Sequence, residues 1–181
     1  MKAVLCKQHG LPETLVVEEV PDLVPGPRQV VISVSACGVN FPDTLIIQNL
    51  YQFKPALPFS PGGELSGVVK SVGEGVKHLQ PGQPVLAFTG WGGYAEEVCA
   101  DAKSVIPLPP GLDMNVAAAF MMTYGTSYHA LKDRAQLQTG ETLLVLGAAG
   151  GVGLAAIELG KKMGARVIAA ASTAEKLDVC K

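Results

Sequence analysis

A glycine-rich segment near the end of the chain is the clearest candidate for chemistry in this sequence. It reads Gly147-Ala148-Ala149-Gly150-Gly151-Val152-Gly153 and separates a short apolar run from a predicted helix. Against the pattern G-x-G-x-x-G it has alanine in the first glycine position. Gly150 would let the backbone approach a pyrophosphate, Gly153 would let the helix pack closely on the strand, and the helix N-terminus favours phosphate charge. The segment therefore predicts a dinucleotide site, with a tight strand-to-helix turn as the alternative; the site residues are Ala149, Gly150, Gly151, Val152 and Gly153.

The residues after the second apolar run indicate which dinucleotide would bind. A site for NAD usually carries an Asp or Glu about 20 residues after the glycine segment, where it holds the ribose 2′-hydroxyl. No acidic residue lies between residues 167 and 174, and Ser172, Thr173 and Lys176 occur at this point of the chain. Hydroxyls and a cation suit a 2′-phosphate, so we expect NADPH. The alternative is structural, because Ser172 and Glu175 have the spacing of a helix capping box, and Lys176 would then be a solvated surface residue.

These residues need a parallel sheet to position them. The apolar runs Thr142–Leu146 and Arg166–Ala171 are typical of strands buried on both faces, and Gly151–Met163 between them predicts a helix ended by Gly164. Another helix opens at Ser172. Strand, helix, strand, helix is the beginning of a doubly wound parallel sheet, which normally carries five or six strands. With two strands predicted, we expect an incomplete Rossmann domain, either because the polypeptide is a fragment, which we favour, or because another chain completes the sheet.

The first part of the chain predicts a β-rich domain. Short runs rich in Val and Ile alternate with Gly and Pro turns, a spacing that suggests a compact barrel-like domain. The predicted strands are Thr14–Val20, Gln29–Ser35, Glu64–Val72, Val85–Phe88 and Tyr94–Cys99. Asp113 is placed to cap a helix through Val116–Met122, and Tyr128–Ala135 is a second helical stretch. The predicted fold class is therefore α/β with a β-rich part, divided into domains at residues 1–115 and 116–181.

Composition excludes several classes of protein. The 181 residues are 48% hydrophobic, which excludes a disordered chain, and a net charge of −2 without a basic run gives no electrostatic footprint for nucleic acid. Residues 1–10 lack the pattern of a signal peptide, and the longest uncharged stretch, Met114–Leu131, is too polar to span a membrane. The cysteines form no close pair, which indicates neither a disulfide framework nor a zinc knuckle and fits a reducing cytoplasm; they are Cys6, Cys37, Cys99 and Cys180.

Four motifs together carry a family resemblance that covers the whole chain. The chain resembles the zinc-free quinone oxidoreductases of the medium-chain dehydrogenase/reductase superfamily in Cys37-Gly38-Val39-Asn40-Phe41-Pro42-Asp43-Thr44, Leu57-Pro58-Phe59-Ser60-Pro61-Gly62-Gly63-Glu64, residues 148–153 and Ser172-Thr173-Ala174-Glu175-Lys176. The resemblance implies a GroES-like catalytic domain followed by a Rossmann domain, with NADPH bound in the cleft. It also implies hydride transfer to a quinone or an α,β-unsaturated carbonyl such as an enone, and a homodimer for the full-length protein.

The resemblance also bears on zinc. Related zinc alcohol dehydrogenases have a Cys where this chain has Asn40 and a His where it has Gly63. An amide and a glycine cannot supply the thiolate and imidazole that a catalytic zinc requires, and the cysteine-rich lobe of a structural zinc is also missing. Cys37 is then interpreted as a small buried hydrophobe. We therefore predict no metal site and assign surface or packing positions to the histidines, which are His9, His78 and His129.

Hydrogen-bond donors must take over the polarisation of a carbonyl acceptor if zinc is missing. The resemblance implies that Asn40 lies near the nicotinamide and the substrate, with Asp43 and Tyr51 near the pocket. Asn40 would donate through its amide and Tyr51 through its phenol. The alternative is that Asn40 and Asp43 only cap a helix. The chain also departs from the family, which often has Arg and Gly where it has Ile47 and Asn49; Ile47 makes the pocket rim less basic, and Asn49 suits a left-handed turn.

Thr126 is the last candidate site residue, and two alternative functions remain open. Thr126 matches a family threonine near the nicotinamide, and its alternative is a hydroxyl that bonds back to its own helix backbone. One competing function is an enoyl reductase that acts on thioesters and shares the fold and the cofactor. The other is a non-catalytic NADPH-binding protein. Turnover of a simple quinone with NADPH separates enzyme from binding protein, and comparison with an enoyl thioester separates the two enzymes.

Overall fold

Antiparallel strands dominate the first of two compact units in the computed structural model, which describes residues 1–181. The first unit is Met1–Ala119 and the second is Phe120–Lys181. The predicted domain division after residue 115 lies four residues before the boundary between the two units and inside the helix Met114–Ala118. The division stays a prediction.

Seven strands in two antiparallel sheets form the first unit. They are β1 (Lys2–Leu5), β2 (Val16–Glu19), β3 (Gln29–Cys37), β4 (Glu64–Val72), β5 (Pro84–Phe88), β6 (Glu97–Asp101) and β7 (Val105–Pro107). Strands β1 and β2 pair with each other, and the other five form one sheet in the order β6-β3-β4-β5-β7. Each neighbouring pair in both sheets is antiparallel, including β3 with β6 and β5 with β7, which are not consecutive along the chain.

The core of the first unit is built from alternating residues of the five-stranded sheet. Val30 and Ile32 of β3 pack with Leu65 and Val69 of β4, and all four are buried, as the two-residue period of a strand requires. A Cβ on Gly67 would collide with the carbonyl oxygen of Ser33, so the two strands approach too closely there for a side chain. Cys37, the last residue of β3, pairs with Leu65, the second residue of β4. The C-terminal end of β3 and the N-terminal end of β4 therefore lie side by side.

The five strands predicted from the sequence for this unit are present, four of them with shifted bounds, and two further strands were not predicted. Strand β4 has the predicted bounds, but β6 begins at Glu97 and not at Tyr94. Residues 91–94 form a loop whose N–H groups bond to residues 60–62; the N–H of Tyr94, for example, donates to the carbonyl of Pro61 at 2.9 Å. Strands β1 and β7 were not predicted, because four and three residues are too few to display an alternating pattern.

Short helical segments complete the first unit. They are α1 (Phe41–Ile46), α2 (Met114–Ala118) and two 3₁₀ turns, Pro12–Thr14 and Ala102–Ser104. Asp113 caps α2 as predicted, because its carboxylate accepts the N–H groups of Asn115 at 2.8 Å and Val116 at 3.1 Å. The helix is shorter than predicted, since the backbone leaves the helical region at Ala119. Ser66 fastens α2 to β4 by donating its hydroxyl to the carbonyl of Met114 at 2.6 Å.

Helices and two strands make up the second unit. In chain order the elements are a π-helical turn (Met121–Gly125), α3 (Thr126–Tyr128), a second π-helical turn (His129–Arg134), β8 (Thr142–Leu146), α4 (Gly151–Lys162), β9 (Arg166–Ala170) and α5 (Ala174–Val179). The helical segment before β8 begins at Met121, earlier than the predicted Tyr128. Gly164 ends α4 with a φ of 82°, as predicted. None of the helices has the length and apolar content needed to cross a membrane.

The parallel pair β8 and β9 is covered on one face. Val145 is buried with Ile157 of α4, and Gly160 lets the helix approach, because a Cβ there would lie 2.7 Å from Leu143. On the opposite face Leu146 is 76% exposed and Ile168 is 41% exposed. The prediction that both strands are buried on both faces is therefore wrong for this unit, since a single helix lies against the sheet.

Candidate functional site

A cavity of about 570 Å³ lies in the second unit beside the ends of β8 and β9. The carboxyl ends of neighbouring parallel strands meet at one edge of a sheet, and ligands of open α/β sheets bind in the crevice there. The cavity brings together four of the residues predicted to bind a cofactor, namely Ala149, Gly150, Ser172 and Lys176. Its other lining residues are Gly147, Ala170, Ala171 and Val179.

The glycine segment forms a tight turn from β8 into α4. Gly147 has a φ of 65°, in the left-handed region that glycine enters without steric cost. The N–H of Ala148 donates to the carbonyl of Ala170 at 3.0 Å, which joins the turn to the end of β9. A Cβ on Gly153 would lie 2.7 Å from the carbonyl oxygens of residues 147 and 148. Gly153 therefore permits the close approach of the helix to the turn that the motif predicts.

The start of α4 has the features of a phosphate site. Gly151, Val152 and Gly153 form its first turn, Gly150 precedes it without a side-chain cap, and the first turn carries no acidic residue. Their N–H groups and the positive end of a 12-residue helix favour an anion. A Cβ on Gly150 would meet only Gly147, at 3.5 Å, so glycine is not required there for packing and leaves the backbone open to the cavity. These residues fit the pyrophosphate of a dinucleotide.

Ser172, Thr173 and Lys176 meet at the start of α5, but the cap is not the predicted residue. Thr173 is the N-cap, and its hydroxyl accepts the N–H of Lys176 at 3.3 Å. The hydroxyl of Ser172 instead accepts a hydrogen bond from Nζ of Lys176 at 3.2 Å. The alternative of a capping box formed by Ser172 and Glu175 is wrong, because Ser172 lies one residue before the N-cap and two residues before the helix begins. The N–H of Glu175 and the hydroxyl of Thr173 lower the pKa of the Glu175 carboxyl.

Thr126, the remaining candidate of the second unit, lies exposed on α3. Its neighbour Ser127 is buried and donates its hydroxyl to the carbonyl of Val152 at 2.8 Å, at the start of α4. The hydroxyl of Tyr124 donates to Glu158 at 2.6 Å, and this bond raises the pKa of Tyr124. Two side chains that were not predicted from the sequence therefore fasten this helical segment to α4.

A second group of candidate residues meets in the first unit, at the start of α1. Asn40 and Asp43 form a capping box, in which Oδ2 of Asp43 accepts the N–H of Asn40 at 2.8 Å. The same oxygen accepts a hydrogen bond from the hydroxyl of Tyr94 at 3.1 Å. Asp43 is 5% exposed, so both bonds serve a buried carboxylate. The capping alternative that the sequence left open for Asp43 is present, and Tyr94 is a partner that the sequence did not indicate.

Glu64, the first residue of β4, holds the side chain of Asn40. Its Oε1 accepts a hydrogen bond from Nδ2 of Asn40 at 2.8 Å, and the residue is 1% exposed. Buried glutamates are rare unless they are partnered. The sequence placed Glu64 in a family motif without a role, and strand alternation puts it on the face of β4 opposite to Leu65 and Val69, so the sequence did not indicate its burial.

Three glycines make room for this group. A Cβ on Gly38 would lie 2.7 Å from Oε1 of Glu64, and one on Gly62 would lie 2.5 Å from the ring of Tyr94. A Cβ on Gly93 would lie 2.6 Å from Sγ of Cys37. The glycines of these motifs are therefore explained by the side chains that pack against them.

Cys37 lies half-buried at the end of β3 and packs against the main core. Its thiol donates to the carbonyl of Glu64 at 3.0 Å. Burial raises its pKa to about 12, and the nearby carboxylates of Asp43 and Glu64 add to this effect. The pKa of Tyr94 is also raised, by burial and by Asp43, so its phenol stays protonated and remains a donor. Cys37 is thus a packed, neutral thiol, in agreement with its interpretation as a small hydrophobe.

Tyr51 does not join the hydrogen-bonded group. It packs against a separate cluster that contains Ile47, and its ring meets Phe53 edge-on at 5.5 Å between centroids. Ile47 is 2% exposed and packs in that cluster, and it also lines a small apolar cavity beside Asp43. Its predicted effect on the pocket rim stays a prediction. Asn49 has a φ of 59° and adopts the left-handed turn as predicted.

The histidines lie apart from both groups. His9 and His78 contact the backbone carbonyls of Ile47 and Ala102, and His129 contacts Asp133. The structure contains no group of three or more His, Cys, Asp or Glu side chains arranged to hold a metal ion.

Known proteins resemble this chain in sequence and in fold. Residues 26–110 match the alcohol dehydrogenase GroES-like domain. Quinone oxidoreductase-like protein 2 of Bos taurus is 42% identical over 176 residues, which are 97% of this chain and 50% of that protein. The chain spans about half the length of the curated relatives it matches.

Solved structures agree with this assignment. The Escherichia coli quinone oxidoreductase, solved in complex with NADPH, matches 99% of this chain and 55% of its own, at 32% identity and a TM-score of 0.94. The Thermus thermophilus quinone oxidoreductase, also solved in complex with NADPH, matches 99% of this chain and 56% of its own, at 39% identity and a TM-score of 0.88. The predicted resemblance and fold class are confirmed: the chain belongs to the quinone oxidoreductase family of the medium-chain dehydrogenase/reductase superfamily.

Proposed function

We propose that the protein is an NADPH-dependent oxidoreductase that reduces a quinone or an α,β-unsaturated carbonyl without zinc. The observation that carries this proposal is the cavity where the glycine turn faces Ser172 and Lys176, in a chain of this family. Bound NADPH would supply a hydride, and one proton from solvent would complete the two-electron reduction of a quinone to a hydroquinone.

Different residues of the second unit bind different parts of NADPH. The N–H groups of Gly151, Val152 and Gly153 receive the pyrophosphate at the start of α4. The hydroxyl of Ser172 and the ammonium of Lys176 receive the ribose 2′-phosphate, since they already contact each other at the cavity wall. We assign Thr126 to the nicotinamide on the family resemblance, and its exposure on α3 is compatible with that role.

The residues of the first unit serve the acceptor. Asn40 is half-buried at the start of α1 and has an amide N–H beyond the one it gives to Glu64, so we assign it the donation of a hydrogen bond to the carbonyl of the acceptor. Asp43 and Tyr94 border a small apolar cavity of about 120 Å³ whose walls include Leu15 and Ile47. This lining favours an apolar acceptor. Tyr51 packs against the cluster that contains Leu15 and Ile47, which are walls of this cavity, and we keep its phenol as a candidate donor.

Zinc independence is part of the proposal. Asn40 and Gly63 supply an amide and a glycine where a catalytic zinc requires a thiolate and an imidazole, and the amide of Asn40 is engaged by Glu64. Elemental analysis of the dialysed protein is expected to find zinc far below one atom per chain. Zinc that stays near one per chain would overturn this part of the proposal.

The activity is tested by NADPH oxidation, followed at 340 nm, with 1,4-benzoquinone and with crotonyl-coenzyme A as acceptors. We expect turnover of the quinone with NADPH. Preference for the thioester would assign the protein as an enoyl reductase. Tight NADPH binding with turnover of neither acceptor would make it a non-catalytic NADPH-binding protein.

We also propose that the whole protein is a cytoplasmic homodimer. The family resemblance supports the dimer, since relatives pair their cofactor-domain sheets edge to edge. Four free cysteines fit a reducing compartment. Size-exclusion chromatography with light scattering measures the molar mass of the full-length protein. We expect the mass of a dimer, and the mass of a monomer would overturn this proposal.

A further inference from the structure

The amide of Asn40 is held by a buried glutamate that no assigned step uses. Nδ2 of Asn40 donates to Oε1 of Glu64 at 2.8 Å. An amide group has a donor side and an acceptor side, whereas a carboxylate only accepts. Glu64 therefore favours the orientation in which the nitrogen faces it and the oxygen is left for the N–H of Asp43 in the capping box. That choice determines where the second Nδ2 proton lies.

The surrounding structure keeps Glu64 in place for this contact. The residue is 1% exposed, and its side chain fills the space beside Gly38, where a Cβ would lie 2.9 Å from Cγ of Glu64. The N–H of Gly38 donates to the carbonyl of Glu64 at 3.0 Å, which fixes the backbone on both sides of the contact. These contacts keep the glutamate beside the amide of Asn40.

The backbone of Asn40 is fixed as well. Its N–H donates to the carboxylate of Asp43, which is held in turn by the hydroxyl of Tyr94. With the main chain held by Asp43 and one amide proton held by Glu64, the second amide proton is the remaining donor of this side chain. A fixed donor binds a carbonyl oxygen with less loss of conformational freedom than a rotating one.

We propose that Glu64 is a positioning residue, which orients the amide of Asn40 so that its second Nδ2 proton donates to a ligand carbonyl. This inference rests on the proposed function for the identity of the ligand. The carbonyl belongs either to the acceptor or to the carboxamide of the nicotinamide, which share the same hydrogen-bonding chemistry. Measurements with and without acceptor distinguish these two sources.

The test replaces Glu64 in the full-length protein and reads the amide of Asn40 directly. In Glu64→Met the ¹⁵N–¹H signals of the Asn40 side chain are expected to lose the shifted proton of a bond to a carboxylate. In Glu64→Gln the hydrogen bond persists but its acceptor is neutral, so the chemical shift of the bonded Asn40 proton is expected to lie between those of the parent protein and Glu64→Met. Signals that stay unchanged in both variants would overturn the inference, and Glu64→Gln decides alone if Glu64→Met does not fold.

Ligand measurements provide the functional readout. We expect Glu64→Met to weaken one ligand contact about threefold to tenfold, the value of one hydrogen bond, with partial recovery in Glu64→Gln. A higher Kd for NADPH alone assigns the contact to the nicotinamide, and a change in KM or kcat for the quinone at unchanged Kd assigns it to the acceptor. In an Asn40→Ala background, Glu64→Met should add no further loss; independent losses would contradict the proposal.

Glu97 offers a matched control. It is another buried glutamate of the same unit, but its partners are Lys70 and the N–H of Leu23. Glu97→Met should lower stability and leave the Asn40 signals and the ligand measurements unchanged. If the parent protein neither binds NADPH nor reduces a quinone, the proposed function fails, and the amide signals still decide whether Glu64 orients Asn40.

Discussion

The hydroxyl of Tyr94 donates a hydrogen bond to Oδ2 of Asp43 at 3.1 Å, across a separation of 51 residues. The bond joins the loop before β6 to the start of α1. Since that oxygen also accepts the N–H of Asn40, the phenol of Tyr94 supports the backbone of a residue it does not touch.

The first prediction concerns this bond. Tyr94→Phe removes the donor and leaves a buried carboxylate with one bond fewer at that oxygen. We expect the free energy of unfolding to fall by about 1.5–3 kcal/mol, the range for a hydrogen bond to a charged group. Urea unfolding measures it, and Tyr128→Phe, at a side chain 48% exposed, is the control. Equal stability of Tyr94→Phe and the parent would show that the bond contributes nothing.

The second prediction concerns the choice of cofactor. Lys176→Ala removes the ammonium that contacts Ser172 at the cavity wall. We expect NADPH binding to weaken about tenfold, since one charge-assisted contact is lost, while NADH binding changes little. Fluorescence titration of both cofactors measures the difference, with Lys162→Ala at the far end of α4 as the control. Equal losses for the two cofactors would remove Lys176 from the 2′-phosphate site.

The third prediction separates the two hydroxyls before α5. Thr173 caps the helix, whereas Ser172 contacts Lys176 and lines the cavity. Thr173→Ala should destabilise the start of α5 by about 1 kcal/mol, which is about a fivefold faster hydrogen exchange of its first N–H groups. Ser172→Ala should leave that exchange unchanged and weaken NADPH binding. The reverse pattern would restore the capping box that the spacing of Ser172 and Glu175 suggested.

The fourth prediction concerns the thiol of Cys37. Its pKa is raised from an ordinary 9.0 to about 12, so the folded protein retains the proton over that interval. Stability from this group is therefore complete below about pH 9 and is lost as the pH rises from 9 toward 12. At pH 8 we expect iodoacetamide to modify Cys37 at least about a hundredfold more slowly in the folded protein than in urea, as mass spectrometry of its peptide reports. Comparable rates would show that the thiol is neither buried nor neutral.

The sequence predicted elements whose signals are local. Strand β4 and the two strands of the parallel pair were predicted closely because each contains adjacent Val, Ile or Leu residues and begins or ends within two residues of a glycine. The Asp113 cap was predicted because it is decided within three residues. The cap of α5 was assigned to the wrong residue, since Ser172 and Thr173 are both good caps and spacing alone does not distinguish them.

Contacts between residues far apart in the chain could not be predicted from the sequence. Tyr94 was placed in a strand and Glu64 had no role, because their partners Asp43 and Asn40 lie 51 and 24 residues away. The sequence also did not indicate that Ile47 packs with Cys6 and Phe59, because only the folded chain assembles that cluster. The exposed face of β8 was also missed, since an apolar run does not reveal which neighbours will cover it.

The three glycines around the Asn40 group constrain how relatives of this protein can diverge. Any side chain at Gly38, Gly62 or Gly93 would displace Glu64, Tyr94 or Cys37, so the inner wall of the site cannot be enlarged or reshaped one substitution at a time. Val39 and Phe41, which flank Asn40, are 82% and 75% exposed, and Val39 lines the small apolar cavity. New acceptor preferences are therefore expected to evolve through these two outward positions, while the support behind Asn40 stays the same.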